Sequence, residues 1–347
     1  MNELPGLAVT LVSGLHHVGK STVATILTGA APDANALPVM GSHEADAGEL
    51  AAELAEHLVE LADRGQRGDV VIELEPADPA EIALVIESVF RERATPSGPA
   101  LRELITVARA DDIRRLLFRE GPEAPGDDYD TGELLASQLE FATAIILIGV
   151  DDCSAPELRE TYGLLKTLNP TAAVVTLAAA VRLRRRRQPS LTVASEVGRQ
   201  LGWALELSGR GGLPTTLNSI NTVVFRDPRP FHPGRLAEVV AHCLEPEDVG
   251  LIVRSRGLAR LASRPDRVAS WTSAGSVLAI NPTAMTSWDA NSPIGQELVF
   301  VGQHLHPERI ARALRAALLG DDELIAGPLE WAGYADPFPV WQIEHDH

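Results

Sequence analysis

The chain alternates short, predominantly apolar runs with longer segments in which alanine, leucine and isoleucine recur among charged residues. In the first half the apolar runs are Leu7 to Val12, Asp69 to Leu74, Leu101 to Ala108, Ala144 to Ile148 and Ala173 to Leu177. Runs of this length without strict alternation suit strands buried on both faces, as in a parallel sheet. Between them, Glu44 to Arg64, Pro79 to Arg91, Gly132 to Phe141 and Ala155 to Thr167 read as helices. Pro79 opens its helix where a missing N–H costs little. Pro96 to Pro99 and Gly121 to Asp130 read as loops. Strand and helix in alternation predict an α/β sheet with helical crossovers.

The pattern breaks near Arg182. Arg182, Arg184, Arg185, Arg186 and Arg187 precede Gln188 and Pro189, and a Gly/Pro-containing stretch follows at Gly209 to Pro214. Beyond it, Ser219 to Phe225, Val249 to Arg254, Ser276 to Ile280 and Glu297 to Val301 read as strands, with helices at Pro233 to Leu244 and Pro307 to Leu319. That order suggests a compact α+β domain. The expected organisation is a domain over 1–180, a basic linker region over 181–214, a smaller domain over 215–325 and a tail over 326–347.

Composition narrows the partners. The 347 residues are 45% hydrophobic, enough for two domains with substantial cores. With 30 basic and 48 acidic side chains the formal charge is −18, which argues against broad nucleic-acid affinity. Arg184 to Arg187 are the exception: a solvated linker in one reading, a contact for RNA, a ribosome or an acidic protein in the other. Cys153 and Cys243 are the only cysteines, so no disulfide framework is expected, and both read as core residues. The amino-terminal segment lacks a basic stretch followed by a signal-length apolar run, and no span reaches the roughly 20 apolar residues needed to cross a bilayer. A cytoplasmic, unanchored protein is expected.

The chemistry concentrates after the first strand. Gly14-Leu15-His16-His17-Val18-Gly19-Lys20-Ser21 has the spacing of a phosphate-binding loop between a strand and a helix. Successive backbone N–H groups of such a loop surround a polyphosphate, with Thr22 continuing into the helix. Lys20 reaches the outer phosphates, and the Ser21 hydroxyl suits Mg²⁺. Nucleotide binding is the leading expectation. Other clusters are thin: His304 and His306, and His345 and His347, are pairs without a third ligand.

Further phrases occur in order: Asp69 and Glu73 on a strand, Gln138-Leu139-Glu140-Phe141-Ala142, and Leu168-Asn169-Pro170-Thr171-Ala172. In the second half come Arg229-Pro230-Phe231-His232-Pro233, Arg254-Ser255-Arg256-Gly257, Trp271-Thr272-Ser273-Ala274-Gly275 and Glu297 to Gly302. In these the chain resembles the CobW-type branch of the G3E family of P-loop GTPases, especially its zinc-responsive metallochaperones. The resemblance implies a P-loop NTPase domain followed by a smaller CobW C-terminal-like α+β domain. It implies a GTP/GDP-binding protein with Mg²⁺ held near Ser21 and Glu73, and delivery of a divalent metal, often Zn²⁺, to a client metalloprotein.

Three departures qualify that implication. The family's CxCC metal motif is missing; Val39 to Asp46 offers only His43, Glu44 and Asp46 as nitrogen and oxygen donors. The guanine-reading Asn-Lys-x-Asp is replaced by Gly149-Val150-Asp151-Asp152, in which Asp152 retains the carboxylate. The segment after the acidic strand reads Glu73-Leu74-Glu75-Pro76, and Pro76 has no N–H to sense a terminal phosphate. Lys20 and Glu75, the latter as a contact for the attacking water, are the catalytic candidates. Slow GTP hydrolysis and a nucleotide-dependent or nucleotide-free protein or ribonucleoprotein interaction factor that has lost metal delivery stand side by side at this point.

Overall fold

The computed structural model describes residues 6–28, 36–38, 47–93, 98–120, 129–184, 201–211, 219–275 and 277–341. The chain divides into two compact units, one of residues 1–116 and 120–202, the other of residues 117–119 and 203–347.

In the first unit, strands β1 (Leu7–Ser13), β2 (Ala36–Pro38), β3 (Gly68–Glu73), β4 (Ala100–Arg109), β5 (Ala144–Ile148) and β6 (Ala173–Thr176) form one sheet in the order β2-β3-β1-β4-β5-β6. All its pairings are parallel. Every residue of the inner strand β1 is buried, which is why its sequence is apolar apart from Thr10 and Ser13. The helices are α1 (Lys20–Thr28), α2 (Ala47–Asp63), α3 (Pro79–Glu92), α4 (Ala110–Leu116), α5 (Tyr129–Glu140), α6 (Ala155–Leu168) and α7 (Leu177–Arg184). Ala51, Ala55 and Leu58 of α2 and Ile82, Ala83 and Ile86 of α3 pack with Leu7, Val9 and Leu11 of β1 in a single core. Because the strands are parallel, their carboxyl ends share one edge of the sheet, where ligands of open α/β sheets bind.

Three elements of this unit escape the apolar-run reading, one of them α7, which starts at Leu177 where the sequence reading ends a strand. β2 is three residues long, and α4 follows β4 with no intervening loop, so neither carries a periodic signal of its own. Asn169 illustrates how a polar residue holds the layers together. It is buried, donates through Nδ2 to the carbonyls of Leu139, Glu140 and Ala142, and accepts at Oδ1 from the Ala172 N–H.

The second unit carries an antiparallel sheet of β7 (Ile220–Asp227), β8 (Leu251–Ala259), β9 (Arg267–Ala274), β10 (Val277–Thr286) and β11 (Gln296–Gln303) in the order β10-β9-β8-β11-β7. Helices Pro233–His242 and Pro307–Ala316 contribute Leu236, Val239, Ile310 and Leu314 to its core, around Phe225, Phe231, Trp271 and Phe300. β9 is the strand the sequence pattern passes over, because Ser270, Thr272 and Ser273 interrupt its apolar positions. The phrases picked out in the sequence are structural here. Phe231 is fully buried, His232 caps the helix that starts at Pro233, and Trp271 donates to the Ser255 hydroxyl at 2.8 Å. Cys243 is a correction: it follows the last turn of Pro233–His242 and is exposed, while Cys153 is half-buried.

Candidate functional site

The phosphate loop leaves β1 at Gly14 and enters α1 at Lys20. Gly14 has φ +148°, and a Cβ there would come within 2.5 Å of the Val107 carbonyl oxygen and 2.8 Å of a Val18 methyl. Only glycine fits between the turn and β4. Leu15 and Val18 point inward and are buried, anchoring the loop, whereas His16, His17, Gly19, Ser21 and Thr22 are exposed along its outer side. His17 sits in the left-handed region at φ +59°.

Lys20 is 7% exposed, and its ammonium donates to the Gly14 carbonyl at 3.1 Å and the Leu74 carbonyl at 2.7 Å. Burial pushes its pKa below the ordinary lysine value, while the carboxylates of Glu73 and Glu75 oppose that shift. The Ser21 hydroxyl donates to Glu73 Oε1 at 3.1 Å, so a hydroxyl and a carboxylate oxygen sit together at the mouth of the loop. This pair of hard oxygen donors fits Mg²⁺ chemistry. Lys20 and Ser21 thus join Gly14 of the loop to Glu73 and Leu74 at the end of β3, with Glu75 within electrostatic reach of Lys20.

The segment after β3 is held at both ends. The Leu74 N–H donates to the Val12 carbonyl at 2.9 Å, and Asp78 Oδ1 accepts from the Ala80 N–H and the Ser137 hydroxyl. Glu75, between those anchors, is exposed. Behind the loop runs a buried polar chain in which Ser13 Oγ and Thr106 Oγ1 are 2.9 Å apart, Thr106 donates to the Gln138 carbonyl, and Gln138 Nε2 reaches the Ala77 carbonyl at 3.4 Å. The Gln138 segment was visible in sequence, but its link to Ala77 needed the fold, since 61 residues separate the two.

Asp152 lies beyond β5, in a short 3₁₀ turn Val150–Asp152 that follows Gly149. The turn stands at the same sheet edge as the phosphate loop, because β5 and β1 both run parallel to the intervening β4. Asp152 is exposed and does not join the Lys20 and Ser21 cluster in hydrogen bonding among the described residues.

The remaining sequence candidates separate. His43, Glu44, Asp46, Arg185, Arg186, Arg187, His345 and His347 lie outside the described residues, and Arg184 is the last residue of α7. His304 adopts φ +53°, and His306 stands at the start of helix Pro307–Ala316. Among the described residues no group of three or more His, Cys, Asp or Glu side chains could hold a metal ion. No helix among them is long and apolar enough to cross a membrane. A cavity of about 680 Å³ lies within the second unit, lined by Arg264, Trp288, Tyr334, Asp336, Phe338 and Trp341 among others; it includes none of the phosphate-loop residues.

A parallel α/β sheet carrying a glycine-bounded loop with a buried lysine, followed by an antiparallel α+β unit, defines the class as a two-unit α/β protein. Residues 220–318 match the family of the cobalamin synthesis protein CobW C-terminal domain, so the chain carries a CobW C-terminal domain. It is homologous to zinc-regulated GTPase metalloprotein activator 1 of Dictyostelium discoideum, with 27% identity over 62% of this chain and 50% of that protein. It is also 27% identical to a zinc chaperone of Mycobacterium tuberculosis, over 82% of this chain and 75% of the other. The chain therefore matches about half the length of the Dictyostelium relative. A crystal structure of the Zn(II)-bound YjiA GTPase from E. coli aligns over 91% of this chain and 100% of its own, with 18% identity and a TM-score of 0.39.

Proposed function

We propose that this protein binds a guanine nucleotide with Mg²⁺ at the loop from Gly14 to Thr22 and hydrolyses GTP slowly, as a member of a zinc-allocation or metallochaperone system. The observation that carries the reading is Lys20, a buried ammonium at the mouth of a glycine-bounded loop beside Ser21 and Glu73. A lysine ammonium has three donors, and two are directed at carbonyls; a phosphate oxygen is a stronger, charged acceptor for the same group. Ser21 and Glu73 would hold Mg²⁺, which neutralises phosphate charge when bound. Lys20 would draw the outer phosphates, the loop N–H groups would orient them, and Asp152 would accept from the base.

Slow turnover follows from Pro76. The segment from Leu74 to Asp78 has no N–H at residue 76 to meet a terminal phosphate, and Glu75 alone remains to contact the attacking water. The metal-delivery part of the reading draws support from the names of the two relatives and is opposed by the missing cysteine motif. A nucleotide-dependent or nucleotide-free protein or ribonucleoprotein interaction factor that has lost metal delivery is the second reading, favoured by that same absence. Calorimetry with GTP, GDP and ATP in Mg²⁺, followed by phosphate release, tests the proposal. Binding of GTP and GDP ahead of ATP with slow release supports it, GTP binding without release leaves the nucleotide-dependent interaction factor, and no nucleotide binding leaves only the nucleotide-free one.

A further inference from the structure

Arg109, the last residue of β4, pairs in register with Ile148, the last residue of β5. Two residues earlier on β4, the Val107 carbonyl lies against Gly14. Arg109 therefore stands on the strand between the phosphate loop and the Gly149 turn, at the carboxyl edge of the sheet. Gly149 adopts φ +69°, and a Cβ placed on it would lie 3.8 Å from Arg109 Nη2 and 3.9 Å from Asp152 Oδ2. A planar cation and a carboxylate thus flank a residue with no side chain, and both groups are at least partly open to solvent.

We propose that Arg109 is the base-holding residue of this site, its guanidinium lying against the face of a purine whose N–H edge is read by Asp152. The inference rests on the nucleotide reading above and adds the residue that secures the base. The chemistry favours it for three reasons. A guanidinium is planar, weakly hydrated and always charged, so it stacks on aromatic faces where an ammonium acts as a point charge. Gly149 carries no side chain, so the nearest atoms to a Cβ built on it are Arg109 Nη2 and Asp152 Oδ2, in ordinary van der Waals range. And Val150, which stands where the resemblance has a lysine, has no charge or plane to offer a base. The bland alternative is that Arg109 only offsets the charge of Asp151 and Asp152.

The test is titration of wild type, Arg109→Ala, Arg109→Lys and Lys20→Ala with GTP and with inorganic tripolyphosphate, all in Mg²⁺, with circular dichroism melts as a folding check. Arg109→Ala should weaken GTP by several-fold to about 30-fold and leave tripolyphosphate unchanged. Arg109→Lys should fall between, and Lys20→Ala should lose both ligands. GTP affinity unchanged in Arg109→Ala overturns the inference while leaving nucleotide binding intact. An equal loss of tripolyphosphate makes Arg109 a general attractor of negative charge and also overturns it. Failure of the wild type to bind either ligand would instead remove the nucleotide reading itself.

Discussion

The Lys20 ammonium donates to the Leu74 carbonyl at 2.7 Å, tying the phosphate loop to the segment that leaves β3. The contact spans 54 residues of sequence and uses the one side chain that a phosphate would also claim. Its energetic worth is small, because the hydrogen bonds offset the cost of holding a charge out of water. Lys20→Met should therefore keep the fold, with unfolding free energy within about 1 to 2 kcal/mol of wild type, and should abolish nucleotide binding. Denaturant midpoints and nucleotide titration on the same preparation check this. A folded variant with full affinity would remove Lys20 from the site.

Ser21 and Glu73 act as a pair, with the carboxylate orienting the hydroxyl at 3.1 Å. In Glu73→Gln the amide keeps the shape and loses the charge. Its nucleotide affinity should respond to Mg²⁺ about 10- to 100-fold less than that of wild type. Ser21→Ala should behave likewise, while affinity in EDTA stays near the wild-type value for both. Equal Mg²⁺ dependence in all three proteins would place the cation elsewhere.

Gly14 is constrained twice, by φ +148° and by the 2.5 Å approach of the Val107 carbonyl to a built Cβ. Since the obstacle is backbone of the central sheet, it cannot swing aside as a side chain would. Gly14→Ala should cost roughly 2 to 4 kcal/mol and deform the loop, measurable as a lower denaturant midpoint together with lost nucleotide binding. A variant as stable as wild type would mean that β4 yields where the close packing says it does not.

His232 links stability to pH. Its Nδ1 accepts from the Arg235 N–H at 3.4 Å, and its ring stacks on Tyr334 at 4.7 Å. Burial first, then the Arg235 guanidinium, pushes its pKa below the ordinary histidine value, with Glu323 opposing. The unfolded chain thus takes up this proton near pH ~6.5, before the folded chain does. The stability contributed is complete above that pH and is lost as pH falls through the lowered folded value. His232→Asn retains a capping acceptor and cannot titrate, so its melting temperature should fall less than that of wild type between pH 7.5 and 5.5. Parallel declines in both proteins would count against the cap.

Zinc should be held weakly. Among the described residues no trio of ligating side chains converges, and the sequence has two cysteines, 90 positions apart in Cys153 and Cys243. Competition against a chromogenic chelator should leave little metal on the purified protein. Stoichiometric, chelator-resistant zinc would point to His43, Glu44 and Asp46 as the first residues to substitute.

Much of this protein is local and hence readable from the chain. The strand, loop and helix around Gly14 to Thr22 are contiguous in the chain, and their spacing alone implies a phosphate cradle. Apolar runs mark the buried parallel strands because both faces of such strands must leave water. β9 escaped because serine and threonine share its faces with apolar residues, and Cys243 was misplaced because a helix end decides exposure that composition does not. Only the tertiary structure brought Leu74 under Lys20, Gln138 to Ala77, and Arg109 beside Gly149 and Asp152. Those meetings depend on sheet order: β4 lies between β1 and β5 by a crossover topology, and no periodicity along the chain encodes which strand becomes whose neighbour.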